Sequence, residues 1–182
     1  MKKYKILKDE FIERHNKRLY RIVKIETGEK GGFIESENNL SQNGDAWVSG
    51  NARVFGNAEI FGNAEIFGNA EVSGGADVFG DAVVSDDAVV SGGAEVFGNA
   101  RVSGDAKIKS TTDYIVYGPI GSRNSFITIC KEQNLIMTGC FCGTKIEFLE
   151  SVSKTHGDNE HGRNYRNLID FIFDDKELCD DK

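Results

Sequence analysis

From Gly44 to Lys109 the chain repeats one six-residue phrase, Gly-Asn-Ala-x-(Val/Ile)-(Phe/Ser), eleven times without an insertion. Within each phrase the Ala and the β-branched residue stand two apart. In an extended segment they therefore point to one side and their neighbours to the other. The Gly-Asn or Gly-Asp pair supplies the corner, because these residues tolerate positive φ at low cost. An amphipathic helix would need apolar residues at steps of three and four, and a Gly every six residues would weaken it by about 1 kcal/mol each time. A corner every six residues closes a triangular coil every eighteen, each strand stacking about 4.8 Å above its counterpart. The pattern predicts a parallel β-helix whose interior is filled by the repeat alanines and by Val54, Ile60, Ile66, Val72, Val78, Val84, Val90, Val96 and Val102.

An eighteen-residue coil sorts the outward positions onto three faces. On one of them the residue after the aliphatic position reads Phe61, Phe79, Phe97, with Glu59, Asp77 and Glu95 alongside. The other two read Ser49, Phe67, Ser85, Ser103 and Phe55, Ser73, Ser91, Lys109. An exposed aromatic stripe marks something that covers it, either a subunit or partner, or the terminal segments of the same chain. One carboxylate per coil is too sparse for a Ca²⁺ site.

Before the repeat, Tyr4, Ile6 and Leu7 and the run Leu19–Ile25 read as a β-hairpin, followed by Gly31–Leu40 leading into the first hexad. A solenoid exposes its terminal coil unless something apolar covers it, and this segment is placed to be the cap. After Lys109 the rhythm stops. Asp113–Tyr117, Ser125–Cys130 and Leu135–Thr138 read as strands. Thr144 with Glu147 three residues on is a capping box opening a helix that ends near Gly157, and a second helix runs from about Gly162 to Phe173. The chain divides into an N-terminal β cap and lead-in coil (1–43), the repeat (44–109) and an α+β head (110–182).

Several residues resemble known families. Val48/Ala46, Val54/Ala52 and Ile60/Ala58 match the hexapeptide-repeat, left-handed β-helix superfamily, whose members are commonly trimers, and left-handedness is an expectation from that resemblance alone. The phrase GGFIESENNLSQNGDAWVSGNA, together with GPIGSRN, GCFCGT and THGDN, resembles phage and prophage proteins that join this repeat to a small C-terminal module. The resemblance implies a bacterial or phage-infected cytoplasm and, for the head, a role in blunting a host defence.

The net charge of −7 is unevenly spread: +5 over residues 1–30, −2 over 31–43, −6 over the repeat and −4 over 110–182. Nucleic acid would have to meet the N-terminal segment, and a charge run of this kind is ordinarily a solvated face. No apolar run is long enough to span a membrane, and the charged start MKKYKILKDEF lacks a signal-peptide core. Cys130, Cys140, Cys142 and Cys179 all follow the repeat and read as free thiols. C-x-C does not have the spacing of the usual zinc knuckle, so no metal or cofactor is expected.

The loop GPIGSRN is the leading site candidate. Gly121 allows backbone amides to face a ligand, Ser122 and Asn124 offer polar groups, and Arg123 can make a two-pronged contact to phosphate or carboxylate. The alternative is a hairpin loop with a solvated Arg. His156 and Arg163, near His161 and Asp158, are candidate ligand-binding groups or parts of an interhelix loop. Acyltransferases with this repeat carry a His base on the coil or a projecting loop. Here no His lies between Phe33 and Asn134. The expectation is a non-enzymatic, homo-oligomeric (trimeric or dimeric) scaffold with a head that binds a small nucleotide-like anion or a host protein. The alternative is an acyl- or nucleotide-directed enzyme borrowing His156 or His161.

Overall fold

A computed structural model describes residues 2–173; Cys179 lies outside them. The chain forms two compact units, Met1–Tyr114 and Ile115–Lys182.

The first unit is a parallel β-solenoid. Its repeat forms eleven two-residue strands: β4 Trp47–Val48, β5 Arg53–Val54, β6 Glu59–Ile60, β7 Glu65–Ile66, β8 Glu71–Val72, β9 Asp77–Val78, β10 Val83–Val84, β11 Val89–Val90, β12 Glu95–Val96, β13 Arg101–Val102 and β14 Lys107–Ile108. Every third strand pairs in parallel register, so that Glu59 lies beside Asp77 and Asp77 beside Glu95. The amides bond one coil on, as in Trp47 N to Ala64 O at 2.9 Å. All nine aliphatic positions named above, and the repeat alanines, are buried. Gly62 and its equivalents take the corners at φ near +71°. A Cβ on Gly62 would stand 3.0 Å from the Gly80 amide, so that stacked corner crowds a side chain as well as needing positive φ. Asp86 takes one corner at φ 58° and accepts a hydrogen bond from the Gly104 amide.

The N-terminal segment caps the coil by extending it. β1 (Tyr4–Arg14) and β2 (Lys17–Lys24) are antiparallel, β2 pairs with β3 (Lys30–Ile34), and β3 pairs in parallel with β5. One face therefore becomes a seven-stranded sheet, β1-β2-β3-β5-β8-β11-β14. This satisfies the backbone groups that a bare terminal coil would leave open, and not only its apolar end. β1 reaches further than the sequence suggests, to a two-residue turn at His15-Asn16 with φ 48° and 61°, the signs a tight hairpin of native twist requires. Tyr4 is fully buried and donates its hydroxyl to the Leu40 carbonyl at 2.6 Å. Burial, and secondarily the Glu37 carboxylate, push its pKa well above the ordinary tyrosine value.

The hairpin tip settles the fate of two aromatic positions. His15 lies tilted against Phe55 with centroids 5.6 Å apart, and Leu19, Phe33 and Phe55 form a buried cluster. Glu71, buried, receives Arg14 Nε at 3.0 Å, with His15 Nε2 and Arg53 Nε each at 3.5 Å. The N-terminal segment thus lies against Phe55 and not over the stripe. Phe61, Phe79 and Phe97 stack at 4.8 and 5.4 Å, with Phe61 37% and Phe97 43% exposed. Many of the N-terminal cations are paired locally, Lys2 with Glu37, Lys17 with Glu35, Lys24 with Glu29 and Lys30 with Glu10. No helix among the described residues is long and apolar enough to cross a membrane.

The second unit is α+β. β15 (Ile115–Ile120), β16 (Ser125–Cys130), β17 (Leu135–Thr138) and β18 (Phe141–Gly143) form an antiparallel sheet in chain order, followed by α1 (Lys145–His156) and α2 (Glu160–Phe173). The strand β18 is not evident from the sequence, because three residues carry too little alternation. Ile120, Ile127, Ile129, Ile136, Phe148, Val152, Tyr165 and Ile169 make its core.

Candidate functional site

Three of the seven residues of GPIGSRN belong to β15, which leaves a four-residue turn, Gly121–Asn124, closed by the Asn124 amide on the Gly121 carbonyl at 3.2 Å. Gly121 has φ 73°, and a Cβ there would fall 2.1 Å from the Tyr165 hydroxyl. Its glycine is thus required by the side chain that α2 lays against the turn, independently of any ligand. Tyr165 also meets Phe148 edge-on at 5.5 Å and His156 at 5.8 Å. Burial raises its pKa, and the nearby Arg123 guanidinium opposes that rise.

Around Tyr165 a groove of about 320 Å³ gathers Ser122 and Arg123 from the turn and His156 from the end of α1. Ser125, Thr138, Ser151 and Thr155 add hydroxyls to its wall, Cys140 adds a thiol, and among the described residues no Asp or Glu lines it. Arg123 is exposed and makes no hydrogen bond or ion pair among the described residues. α1 places His156 reliably. Thr144 Oγ1 accepts from the Glu147 amide, and the Glu147 carboxylate accepts from Thr144 N at 2.8 Å and Oγ1 at 2.9 Å. Those hydrogen bonds, the backbone one first, hold the Glu147 pKa below the ordinary glutamate value. Gly157 ends the helix at φ 53°, its amide on the Ser153 carbonyl at 3.0 Å.

The other predicted residues fall elsewhere. Gly121 and Asn124 line a second cleft of about 650 Å³, on the α2 side of the turn. His161 lines that cleft too, its ring 5.9 Å from the His156 ring. Arg163 lines neither opening; its Nη1 donates to the Asp158 carbonyl, while Arg166 bonds the Gly157 carbonyl at 3.0 Å and Asp158 Oδ1 at 2.9 Å. Arg163 and Arg166 therefore hold the bend between the helices. Cys130 is buried, Cys140 and Cys142 are exposed, and no group of three metal-ligating side chains occurs among the described residues.

Tyr165 and the hydroxyl wall escape sequence reasoning. Tyr165 reads as one apolar position of α2, and nothing local says that it closes on a turn more than forty residues earlier. No protein-family model and no curated protein matches the chain.

Proposed function

We propose that the second unit binds a small anionic ligand, phosphate-bearing and nucleotide-like, in the Arg123 groove, and that the solenoid is the scaffold through which copies of the chain associate. The observation that carries the reading is Arg123, an exposed guanidinium without an acidic partner, in a groove lined by no carboxylate, both among the described residues. A free guanidinium beside hydroxyls and an imidazole suits a planar or tetrahedral oxyanion, which can take two parallel hydrogen bonds from it. The stacked Phe61, Phe79 and Phe97, of which the outer two are exposed and Phe79 half-buried, supply the apolar surface for self-association, as a trimer or dimer. The phage setting, in which such a protein withdraws a small anion or occupies a host protein to blunt a defence, rests on the resemblance of residues 31–52. His156 in the same groove as Ser122 favours a second reading, a catalytic head in which His156 is the base.

Native mass spectrometry of protein taken directly from cells tests both halves. The expected result is more than one chain per particle with a small anion retained, and Phe61→Ser/Phe79→Ser/Phe97→Ser lowering the mass. A bare monomer that survives the triple substitution unchanged contradicts the scaffold role. Loss of turnover in His156→Ala with affinity kept would establish the catalytic reading instead.

A further inference from the structure

The larger cleft of the second unit has a chemistry different from the groove. On α2, Glu160, Asn164, Asn167 and Phe171 follow at spacings of four, three and four, which puts them in one stripe along the helix. The stripe faces Tyr117 and Asn124 of the β15–β16 hairpin across about 650 Å³. Asn is a poor residue for a helix interior, and an 84% exposed Phe171 opposite a half-exposed Tyr117 leaves apolar surface in water. Core formation does not account for the Asn and aromatic choices, and only Glu160 has a local role, as the acid in the first turn of α2. Among the described residues the three Asn amides and the Glu160 carboxylate have no hydrogen-bond or ion-pair partner through their side chains.

Two open rings beside three unengaged amides are the equipment for a planar heterocycle. Aromatic side chains stack on a nucleobase whatever its sequence context. An Asn amide can donate and accept side by side on a base edge, and a carboxylate accepts from an exocyclic amino group. Asn124 in this cleft is the immediate neighbour of Arg123 in the groove, two Cα atoms about 3.8 Å apart. One turn thus presents an amide to a base on one side and a guanidinium to a phosphate on the other.

We infer that the cleft formed by Tyr117, Asn124, Glu160, Asn164, Asn167 and Phe171 is a nucleobase site, so that the ligand is a nucleotide with its base in the cleft and its phosphate at Arg123. The phosphate half rests on the reading of the groove given above; the base half stands on the cleft alone. Calorimetric titration of the whole protein with the four ribonucleoside 5′-monophosphates, the matching nucleosides and inorganic pyrophosphate separates the two. At least one monophosphate should bind more tightly than pyrophosphate. Asn164→Ala/Asn167→Ala should weaken that nucleotide and its nucleoside about tenfold or more while leaving pyrophosphate unchanged, and Arg123→Ala should weaken pyrophosphate and spare the nucleoside. Circular dichroism identical to wild type confirms that these surface variants are folded. If pyrophosphate binds and no nucleotide binds better, or if the Asn variant changes nothing, the base site is wrong and the anion site stands. If nucleosides bind and Arg123→Ala leaves pyrophosphate unaffected, the base site stands without the anion site. Binding of neutral methyl glycosides in place of nucleosides, or of none of these probes at millimolar concentration, overturns the inference.

Discussion

The solenoid and the head are both built on buried aliphatic residues, yet they store their structural information differently. In the solenoid each Val or Ile lies over a counterpart eighteen residues away, and each corner repeats the conformation of the one below. One rule written eleven times fixes the interior. In the head every contact is made once. Gly121 against Tyr165, and Ser122 in a groove with His156, join residues tens of positions apart that share no periodicity. Redundancy makes a scaffold readable and chemically uniform, whereas a binding site requires unlike groups brought together without repetition.

The sharpest way to break this contrast is a charge in the repeat. Val78→Asp places an unpaired carboxylate in a fully buried position between Ile60 and Val96, and should lower stability by about 3 kcal/mol or more. Urea unfolding checks it, and an unchanged midpoint would mean that the interior register is wrong. In the head a single methyl should do nearly as much. Gly121→Ala meets Tyr165 and forces an L-residue to φ 73°, with an expected loss of about 2 kcal/mol. Ser122→Ala in the same turn should be almost silent, and equal effects would show that the turn is not held by Tyr165.

Arg123→Ala should leave unfolding unchanged and weaken pyrophosphate binding by roughly ten- to a hundredfold, the loss of one charge-assisted contact. Thr144→Ala removes a helix cap and should lower stability by about 1 kcal/mol. Glu147 gives the smallest and most diagnostic effect. Its pKa is lower folded than unfolded, so its contribution is present above the ordinary glutamate value and is lost as pH falls through the depressed folded value. Denaturation midpoints between pH 6 and 3, on the order of the range where glutamates titrate, should show that loss in wild type and not in Glu147→Gln.

The same contrast decides what the sequence discloses. The coil, its buried positions and its aromatic stripe follow from a period of six. α1 follows from a capping box confined to four residues, Thr144 to Glu147. Strand β18 and the continuation of β3 into the solenoid face stay hidden, because short strands are specified by their partners. Ser122, Arg123 and His156 were identifiable by residue type and do share a groove, but the role of Arg163 was not, since its partner is a backbone carbonyl. Gly121, Asn124 and His161 of the second cleft were identifiable by residue type, but nothing in the sequence joins them to Asn164 and Asn167, whose helical stripe becomes meaningful once Tyr117 stands across from it.

Two cysteines report on whether an anion is held at Arg123. Cys140 and Cys142 are both exposed, and of the two Cys140 lines the groove. Alkylation followed by peptide mass spectrometry, with and without saturating pyrophosphate, should show Cys140 slowed severalfold, Cys142 unchanged, and the protection abolished in Arg123→Ala. Equal rates at Cys140 with and without the anion, or protection that persists in Arg123→Ala, would mean that Arg123 does not hold the anion.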